Sequence, residues 1–236
     1  MSSPERRPVD GRQLRWESHK EERRRSIIDA ALAVIQTHAP GETIHVQQIA
    51  DQAGLNRSAL HRLFRDRDDL DLAIQTEICN RARDVVFAAV TLELEPRAVV
   101  HRIVGQFVRW VIAHPAWIRF VERSIRTDAE SPLDEALKAV SAQFESLIAG
   151  VASVLGGELT GPDRKVFDAW VSGLVRGGLA SVQRWTAQGK ASRPEPIVNL
   201  VSDMIWFQID GLATSRGIPI PEGPIDAVVD QLFADD

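Results

Sequence analysis

The sequence predicts an all-α protein, with a small N-terminal helix-turn-helix head and a larger helical C-terminal body. Two observations carry this prediction. Residues 44–70 read as two short helices joined by a tight turn at Gly54, which is the helix-turn-helix pattern: IHVQQIADQAGLNRSALHRLFRDRDDL. From Arg97 onward, apolar residues recur at helical spacing between breaks at proline and glycine, without a strand pattern.

The chain before the helix-turn-helix divides into a polar arm and a first helix. Residues 1–17 are polar and contain proline, which predicts a flexible arm. Its four arginines, Arg6, Arg7, Arg12 and Arg15, allow an arm in the minor groove of DNA, although a solvated tail without a role is the simpler interpretation. The first helix is predicted from Ser18 to His38 because one face carries an apolar stripe, and Pro40-Gly41 ends it.

The segment after Gly54 divides into two faces when it is placed on a helix. Ala59, Leu60 and Leu63 share the apolar face, which packs the helix onto its neighbours. The opposite face is polar and cationic and consists of Arg57, Ser58, His61 and Arg62. A helix with such a face fits the major groove of DNA, where arginine commonly makes paired hydrogen bonds to guanine.

The spacing is more specific than that of a generic helix pair. The pattern V-x-x-I-A-x-x-A-G-L-x-x-x-A-L-x-x-x-F, from Val46 to Phe64, resembles the DNA-binding motif of the TetR family of bacterial regulators. The resemblance implies DNA contacts from His45, Gln47, Arg57, Ser58, His61, Arg62 and Arg67. Three positions depart from the family pattern: His61 replaces a phosphate-binding Tyr, Leu63 replaces His or Tyr, and His45 replaces a Ser or Thr cap.

The remaining helices are predicted from apolar spacing and from their breaks. A fourth helix from Arg67 to Thr91 links the head to the body, and residues 92–96 mark the boundary between them. The predicted domains are therefore an arm at 1–17, a DNA-binding head at 18–92 and an effector-binding and dimerisation body at 93–236. Ser131-Pro132 is a clear helix start. Helices of the body are expected at about 97–113, 115–127, 132–155, 162–188, 195–214 and 224–234.

Two of these helices, 162–188 and 195–214, carry apolar arcs that are too broad for burial on one side. The resemblance implies that they form the interface of a homodimer. Gly173, Gly177 and Gly178 permit close backbone approach, either between two subunits or within one chain. Dimerisation is also expected because two-fold proteins read palindromic DNA.

Aromatic residues mark the region where the family places an effector pocket. The predicted pocket residues are Phe107, Trp110, Trp117, Phe120, Phe144 and Trp170, although each is also an ordinary core residue by type. An apolar or aromatic small molecule is the expected effector. Arg109, His101, Asp168 and Gln143 are candidate polar anchors.

Composition excludes several other classes of protein. The net charge of −5 argues against a nonspecific, histone-like binder, but residues 1–70 carry +1 and the remainder carries −6. A single cysteine, Cys79, excludes an intrachain disulfide. Neither a metal constellation nor a catalytic motif is recognisable, so catalytic residues, metals and cofactors are predicted to be none. No leader or membrane-length apolar span is recognisable, which predicts a cytoplasmic bacterial protein.

These observations predict a homodimeric, ligand-responsive transcriptional repressor that binds double-stranded DNA at a palindromic operator. Two other functions remain compatible with the sequence. One is a small-molecule binding protein with a degenerate DNA-binding head, which the departures at His61 and Leu63 allow. The other is an all-α enzyme that uses the aromatic cavity, although no catalytic constellation supports it.

Overall fold

A computed structural model describes residues 11–123, 131–154, 161–189, 193–220 and 222–227. Within these ranges the chain forms helices and connecting turns, and no strand occurs among the described residues. The all-α prediction is therefore confirmed. The helices are α1 (Gly11–Thr37), α2 (Val46–Gln52), α3 (Arg57–Leu63), α4 (Arg67–Ala88), α5 (Pro96–Ala113), α6 (Pro115–Val121), α7 (Pro132–Val154), α8 (Gly161–Thr186) and α9 (Glu195–Ser215).

The first helix begins earlier than the sequence predicts. Helix α1 starts at Gly11, so residues 11–17, which were assigned to a flexible arm, are helical. The predicted helix start at Ser18 was too late because it was based on apolar periodicity, and the first turns of α1 have no apolar stripe to reveal them. Arg6 and Arg7 lie outside the described residues.

Most other boundaries follow local capping chemistry. Gly54 has a φ of +65°, which allows the tight turn between α2 and α3. The Asn56 side chain accepts a hydrogen bond from the Ala59 amide at 2.8 Å and caps α3. Ser131 similarly accepts from the Asp134 amide at 3.1 Å and begins α7 as predicted. Helix α6 ends at Val121, and the residues predicted to extend it beyond 123 lie outside the described ranges.

The N-terminal core joins α1–α4 to α6. Ile27, Ile49, Leu60, Phe64 and Ile74 are each at most 2% exposed and pack in one apolar cluster. Ala116, Trp117 and Phe120 of α6 belong to the same cluster, although they lie far beyond the predicted boundary at 92–96. Helix α6 is therefore packed into the head as well as into the body.

A second core holds the body together through α5, α8 and α9. It is built from buried aliphatic residues that follow helical spacing: Val104, Val108, Val111, Val182, Ile197, Val198 and Val201. The exposed hydrophobic side chains of the body lie outside this core and include Val166, Leu200 and Phe207, each at least 60% exposed. No helix among the described residues is both long enough and apolar enough to cross a membrane.

Candidate DNA-reading surface and effector cavity

Helix α3 presents a row of exposed cationic side chains. Arg57, His61 and Arg62 are exposed, and none of them makes a hydrogen bond or ion pair with another described residue. Leu60 on the opposite side is 2% exposed and anchors the helix in the head core. The fold thus fixes the backbone of α3 and leaves its cations available to an external partner.

Two neighbouring polar residues of the predicted site already have partners within the chain. The Ser58 hydroxyl donates to Asn56 Oδ1 at 2.8 Å, and Gln47 Nε2 donates to Asp51 Oδ1 at 2.7 Å. Both side chains remain exposed. Gln47 keeps a free carbonyl oxygen, so it still has an acceptor for a base edge or a water molecule.

His45 lies at the start of α2, as expected, but its ring does not cap the helix. The reciprocal interaction of a capping box is present, because Gln48 Oε1 accepts from the His45 amide at 2.7 Å. His45 therefore remains exposed beside the reading surface.

Arg67 differs from the other predicted DNA contacts. Its Nη1 donates to the Ile44 carbonyl at 2.7 Å, and its Nε donates to Asp71 Oδ2 at 2.7 Å. These bonds tie the start of α4 to the residue that precedes α2. Burial raises the pKa of the Asp71 carboxyl, and the hydrogen bond from Arg67 opposes that rise. Arg67 is therefore engaged within the chain, and the expected phosphate contact stays a prediction.

The body contains a partly open cavity of about 280 Å³, which is lined by residues of α4 to α9. Its wall is formed largely by aliphatic side chains of α4, α5, α7, α8 and α9, among them Val86, Ile103, Leu137, Val140, Leu174 and Ile205. Cys79 also contributes to the wall, and burial raises the pKa of its thiol to about 11. Such a thiol stays protonated and apolar near neutral pH.

Among the described residues, the wall of the cavity contains only three with charged or amide side chains, namely Arg83, Glu122 and Gln183. Glu122 accepts from Gln183 Nε2 at 3.2 Å through Oε1 and from Arg119 Nη1 at 3.0 Å through Oε2. A mostly apolar cavity with a few polar groups is the ordinary form of a small-molecule site.

Half of the predicted aromatic pocket residues line this cavity. Phe107, Trp110 and Phe144 are in its wall, and the Phe144 ring lies 5.0 Å from that of Phe87. The other three are elsewhere. Trp117 is buried in the head core and donates from Nε1 to the Leu32 carbonyl at 3.0 Å.

Phe120 packs in the same head core as Trp117, while Trp170 stacks on Phe167 at a ring distance of 5.5 Å. The physical reason is helical phase. On α6, positions 117 and 120 face the head, Ile118 faces the cavity, and Val121 lies at the border and contacts both. None of the four proposed polar anchors lines the cavity, and His101 instead hydrogen-bonds Asn199 at 3.1 Å.

Sequence reasoning missed the aliphatic wall because it searched for aromatic residues. A usable signal was present on α7, where wall residues recur every three or four positions: Leu133, Leu137, Val140, Phe144 and Leu147. Such a stripe does not distinguish a cavity wall from a filled core. No group of three or more potential metal ligands occurs within the described part of the chain.

The head geometry agrees with an independent comparison of sequences. The sequence profile of the bacterial regulatory proteins of the tetR family matches residues 27–74, which span α1 from Ile27, the helix-turn-helix and the start of α4. Residues 27–74 therefore form a helix-turn-helix head of the TetR type. The chain is accordingly a DNA-binding transcriptional regulator, and TetR-family regulators are dimeric.

Relatives and solved structures extend the similarity to most of the chain. An uncharacterized HTH-type transcriptional regulator from Mycobacterium tuberculosis is 24% identical over 213 residues, which cover 89% of this chain and 86% of that protein. The crystal structure of a tetR-family transcriptional regulator from Streptomyces coelicolor has a TM-score of 0.60 at 19% identity and covers 92% of this chain and 90% of the other. The likeness to that protein covers most of both chains and concerns the fold.

A further similar structure is the fatty acid degradation regulator FadR from Bacillus halodurans. It has a TM-score of 0.57 at 18% identity, and the match covers 78% of this chain and 94% of that chain. At this identity the likeness concerns the fold alone.

Proposed function

We propose that this TetR-family regulator is a ligand-responsive repressor that binds a palindromic operator as a homodimer. The observation that carries the proposal is the row of exposed, unpaired cations on α3, held in place by a buried opposite face. In this proposal Arg57 reads a guanine, with Gln47 and Arg62 near the neighbouring base edges. Ser58, His61 and His45 contact the phosphate backbone, and Arg67 holds α2 and α4 in register.

The dimer is proposed to form through the outward faces of α8 and α9. Gly173 supports this because a Cβ atom added there would meet nothing within 4 Å, so the residue does not serve packing within the chain. Gly178 has the opposite role, since its added Cβ would lie 3.6 Å from Val201 of the same chain. Exposed Leu200 and Phe207 extend the outward surface along α9. A two-fold interface of this kind presents two copies of α3 to a palindrome.

The proposed effector is an elongated aliphatic molecule. The aliphatic wall supports this class, because burial of the methylene groups of a ligand against it is favourable. A polar ligand would lose its hydrogen bonds to water there without gaining replacements. Glu122 and Gln183 are placed to orient a single polar group of such a molecule. The name of the structurally similar FadR, a fatty acid degradation regulator, supports a fatty-acid-derived compound as the first candidate.

Helix α6 is proposed to couple the cavity to the head. Its Ile118 and Val121 line the cavity, whereas Trp117 and Phe120 pack in the head core. Arg123, directly after α6, donates to the carbonyl groups of Gly41 and Glu42 in the loop before α2. A ligand that displaces α6 changes the support of this loop, and linkage requires DNA to weaken ligand binding by the same factor.

Selection of bound duplexes from a random DNA pool, at fixed near-physiological salt, tests the proposed function. We expect enrichment of a two-fold palindrome. Arg57→Ala should lose about 1–3 kcal/mol of discrimination at one base pair of each half-site, because it removes a bidentate contact. Salt must be constant because phosphate contacts alone change the measured affinity.

Arg102→Ala is the matched control for this experiment. Arg102 is an exposed cation on α5 of the body, so its removal changes the charge equally but leaves the reading helix intact. The control should select the same palindrome with the same discrimination. An unchanged base preference in Arg57→Ala would contradict the assigned role of Arg57, and the absence of any enriched sequence would contradict operator binding.

A further inference from the structure

The N-terminal turns of α1 project beyond the part of the head that matches the family profile. Helix α1 starts at Gly11, whereas the match starts at Ile27. At 1.5 Å per residue, residues 11–23 form a rod of about 20 Å. A helical segment of this length is only marginally stable by itself in water. An external surface that packs against it would therefore stabilise its helical form.

One face of this rod is fixed relative to the DNA-reading surface by Arg24. Its Nη1 donates to the Leu63 carbonyl at the end of α3 at 3.0 Å, and its guanidinium lies 4.3 Å from the centre of the Phe64 ring. Trp16 and Lys20 precede Arg24 by eight and four residues, so they share its face. These two side chains therefore lie on the face of α1 that contacts α3, one and two turns before that contact.

Two carboxylates of this segment have partners on α1. Glu21 pairs with Arg25 at 3.7 Å, and Glu22 pairs with His19 at 3.3 Å. Two cations of the same segment differ from these residues in having no ion-pair partner within the described part of the chain. Lys20 and Arg23 make no ion pair with any described residue, and Arg23 lies one turn before buried Ile27, on the side of the head.

Trp16 adds an apolar group at the end of the same cationic face. Its side chain is 66% exposed, and the Lys20 ammonium lies 5.8 Å from the centre of its ring. An exposed tryptophan beside unpaired cations has both a flat apolar surface and an indole N–H donor. Deoxyribose offers an apolar surface and phosphate offers acceptors and negative charge, so the backbone of a DNA duplex complements all three side chains.

We propose that Trp16, Lys20 and Arg23 form a second DNA contact, which binds the phosphate backbone beside the groove entered by α3. The inference rests on the proposed operator binding and extends it to DNA that the reading helix does not touch. Duplex DNA rises 3.4 Å per base pair on each strand, so a rod of about 20 Å spans about six base pairs.

The experiment compares the full-length protein with W16A/K20A/R23A on two duplexes. One duplex carries the selected operator with about ten extra base pairs on each side, a length chosen to exceed the span of the rod, and the other is trimmed to the selected bases. On the long duplex, the variant should bind on the order of tenfold more weakly at physiological salt. Its slope of log K against log salt should fall in magnitude by about two, because two phosphate contacts are lost.

On the trimmed duplex, the variant and the unchanged protein should bind equally. Arg25→Ala is the control on the same helix, because Arg25 is exposed and paired with Glu21, and it should keep the affinity and the salt slope on both duplexes. Circular dichroism and thermal unfolding should be unchanged in the triple variant.

Two results overturn the inference. One is equal affinity and equal salt slope of the triple variant and the unchanged protein on the long duplex. The other is loss of dimer in the triple variant by sedimentation, which would assign Trp16 to contact with a second copy of the chain. If the unchanged protein bound no selected duplex at all, the proposed function itself would fail, and that result is distinct from both.

Discussion

At the scale of single residues, hydrogen-bond partners distinguish a cation that is free for an external partner from one that is engaged within the chain. Arg57 and Arg67 are both cations at helix starts in the head. Arg57 has no partner among the described residues, whereas Arg67 satisfies the Ile44 carbonyl and Asp71. Moving Arg67 to a phosphate would leave those groups unpaired in a half-buried place, which costs free energy. The same residue type is therefore free at the start of α3 and engaged at the start of α4.

Cys79 gives a prediction at this scale because burial raises the pKa of its thiol to about 11 from an ordinary value of 9.0. The folded pKa exceeds the unfolded pKa, so the resulting stability is fully present below pH 9 and is lost as the pH rises towards 11. We expect the free energy of unfolding of the native protein to fall over this interval. Chemical denaturation at pH 8 to 11 measures it.

Cys79→Val is the control, since valine is apolar, of similar size and unable to ionise. The part of the decrease in the free energy of unfolding that is due to the thiol should be absent from this variant. The difference between the two proteins therefore measures the contribution of the thiol. Alkylation by iodoacetamide should also be slow in the folded protein at pH 8 and faster after unfolding. A thiol that titrates near pH 9 in the folded protein would contradict the prediction.

At the scale of elements, α6 is the helix on which head and body both depend. The last carbonyl groups of a helix lack partners within it. Gln75 of α4, which is 2% exposed, supplies donors here: its Nε2 lies 2.9 Å from the Phe120 oxygen and 3.0 Å from the Arg123 oxygen. A buried amide of the long linking helix thus caps the end of a cavity-lining helix.

Gln75→Leu should destabilise the protein by about 1–3 kcal/mol, because leucine keeps the volume but leaves buried carbonyl groups unpaired. Urea denaturation measures the change in the free energy of unfolding. Since α6 supports the loop before α2, operator affinity should also fall. The affinity is measured by fluorescence anisotropy with the selected duplex.

Gln143→Leu is the matched control for this substitution. Gln143 is exposed on α7 and has no hydrogen-bond partner among the described residues, so the same change there should alter stability by less than about 0.5 kcal/mol. Equal stabilities of the two variants would show that Gln75 does not secure the end of α6.

At the scale of the whole molecule, a single chain leaves apolar surface on α8 and α9 uncovered. Leu200 and Phe207 are 64% and 62% exposed, respectively, and lie seven residues apart on one face of α9. Apolar side chains that recur on one exposed face mark an association surface more often than scattered ones do. The proposed dimer covers this surface with its own two-fold copy.

L200E/F207E should convert the dimer to a monomer, because four carboxylates would be buried in the two-fold interface. Analytical ultracentrifugation measures the mass. Operator affinity should fall more than tenfold, since one α3 then reads one half-site. The helical content should stay the same because neither residue belongs to a core.

Leu92→Glu controls for the effect of a charge at an exposed leucine. Leu92 is 44% exposed and belongs to the connection between α4 and α5, outside α8 and α9, and this variant should remain dimeric. A dimer that survived both glutamates in L200E/F207E would place the interface elsewhere.

The helix-turn-helix was predictable because its determinants are local. Gly54 supplies the turn, the apolar residues of α3 follow a period of 3.6, and Asn56 caps the helix from three residues away. Arg57, His61 and Arg62 could be assigned to the exposed face for the same reason, since the phase of one helix fixes which side chains are opposite Leu60.

The sequence by itself therefore determined the helical class, the position of the reading helix and its cationic face, because these depend on neighbours within a few residues. Only the tertiary structure decided which aromatic residues line the cavity, that Arg67 is engaged internally, and that α6 belongs to both cores. Those features depend on contacts such as Trp117 with Leu32, which are 85 residues apart. The phase of a helix predicts which of its side chains are buried. The residues that pack against those side chains are decided by the packing of the whole chain.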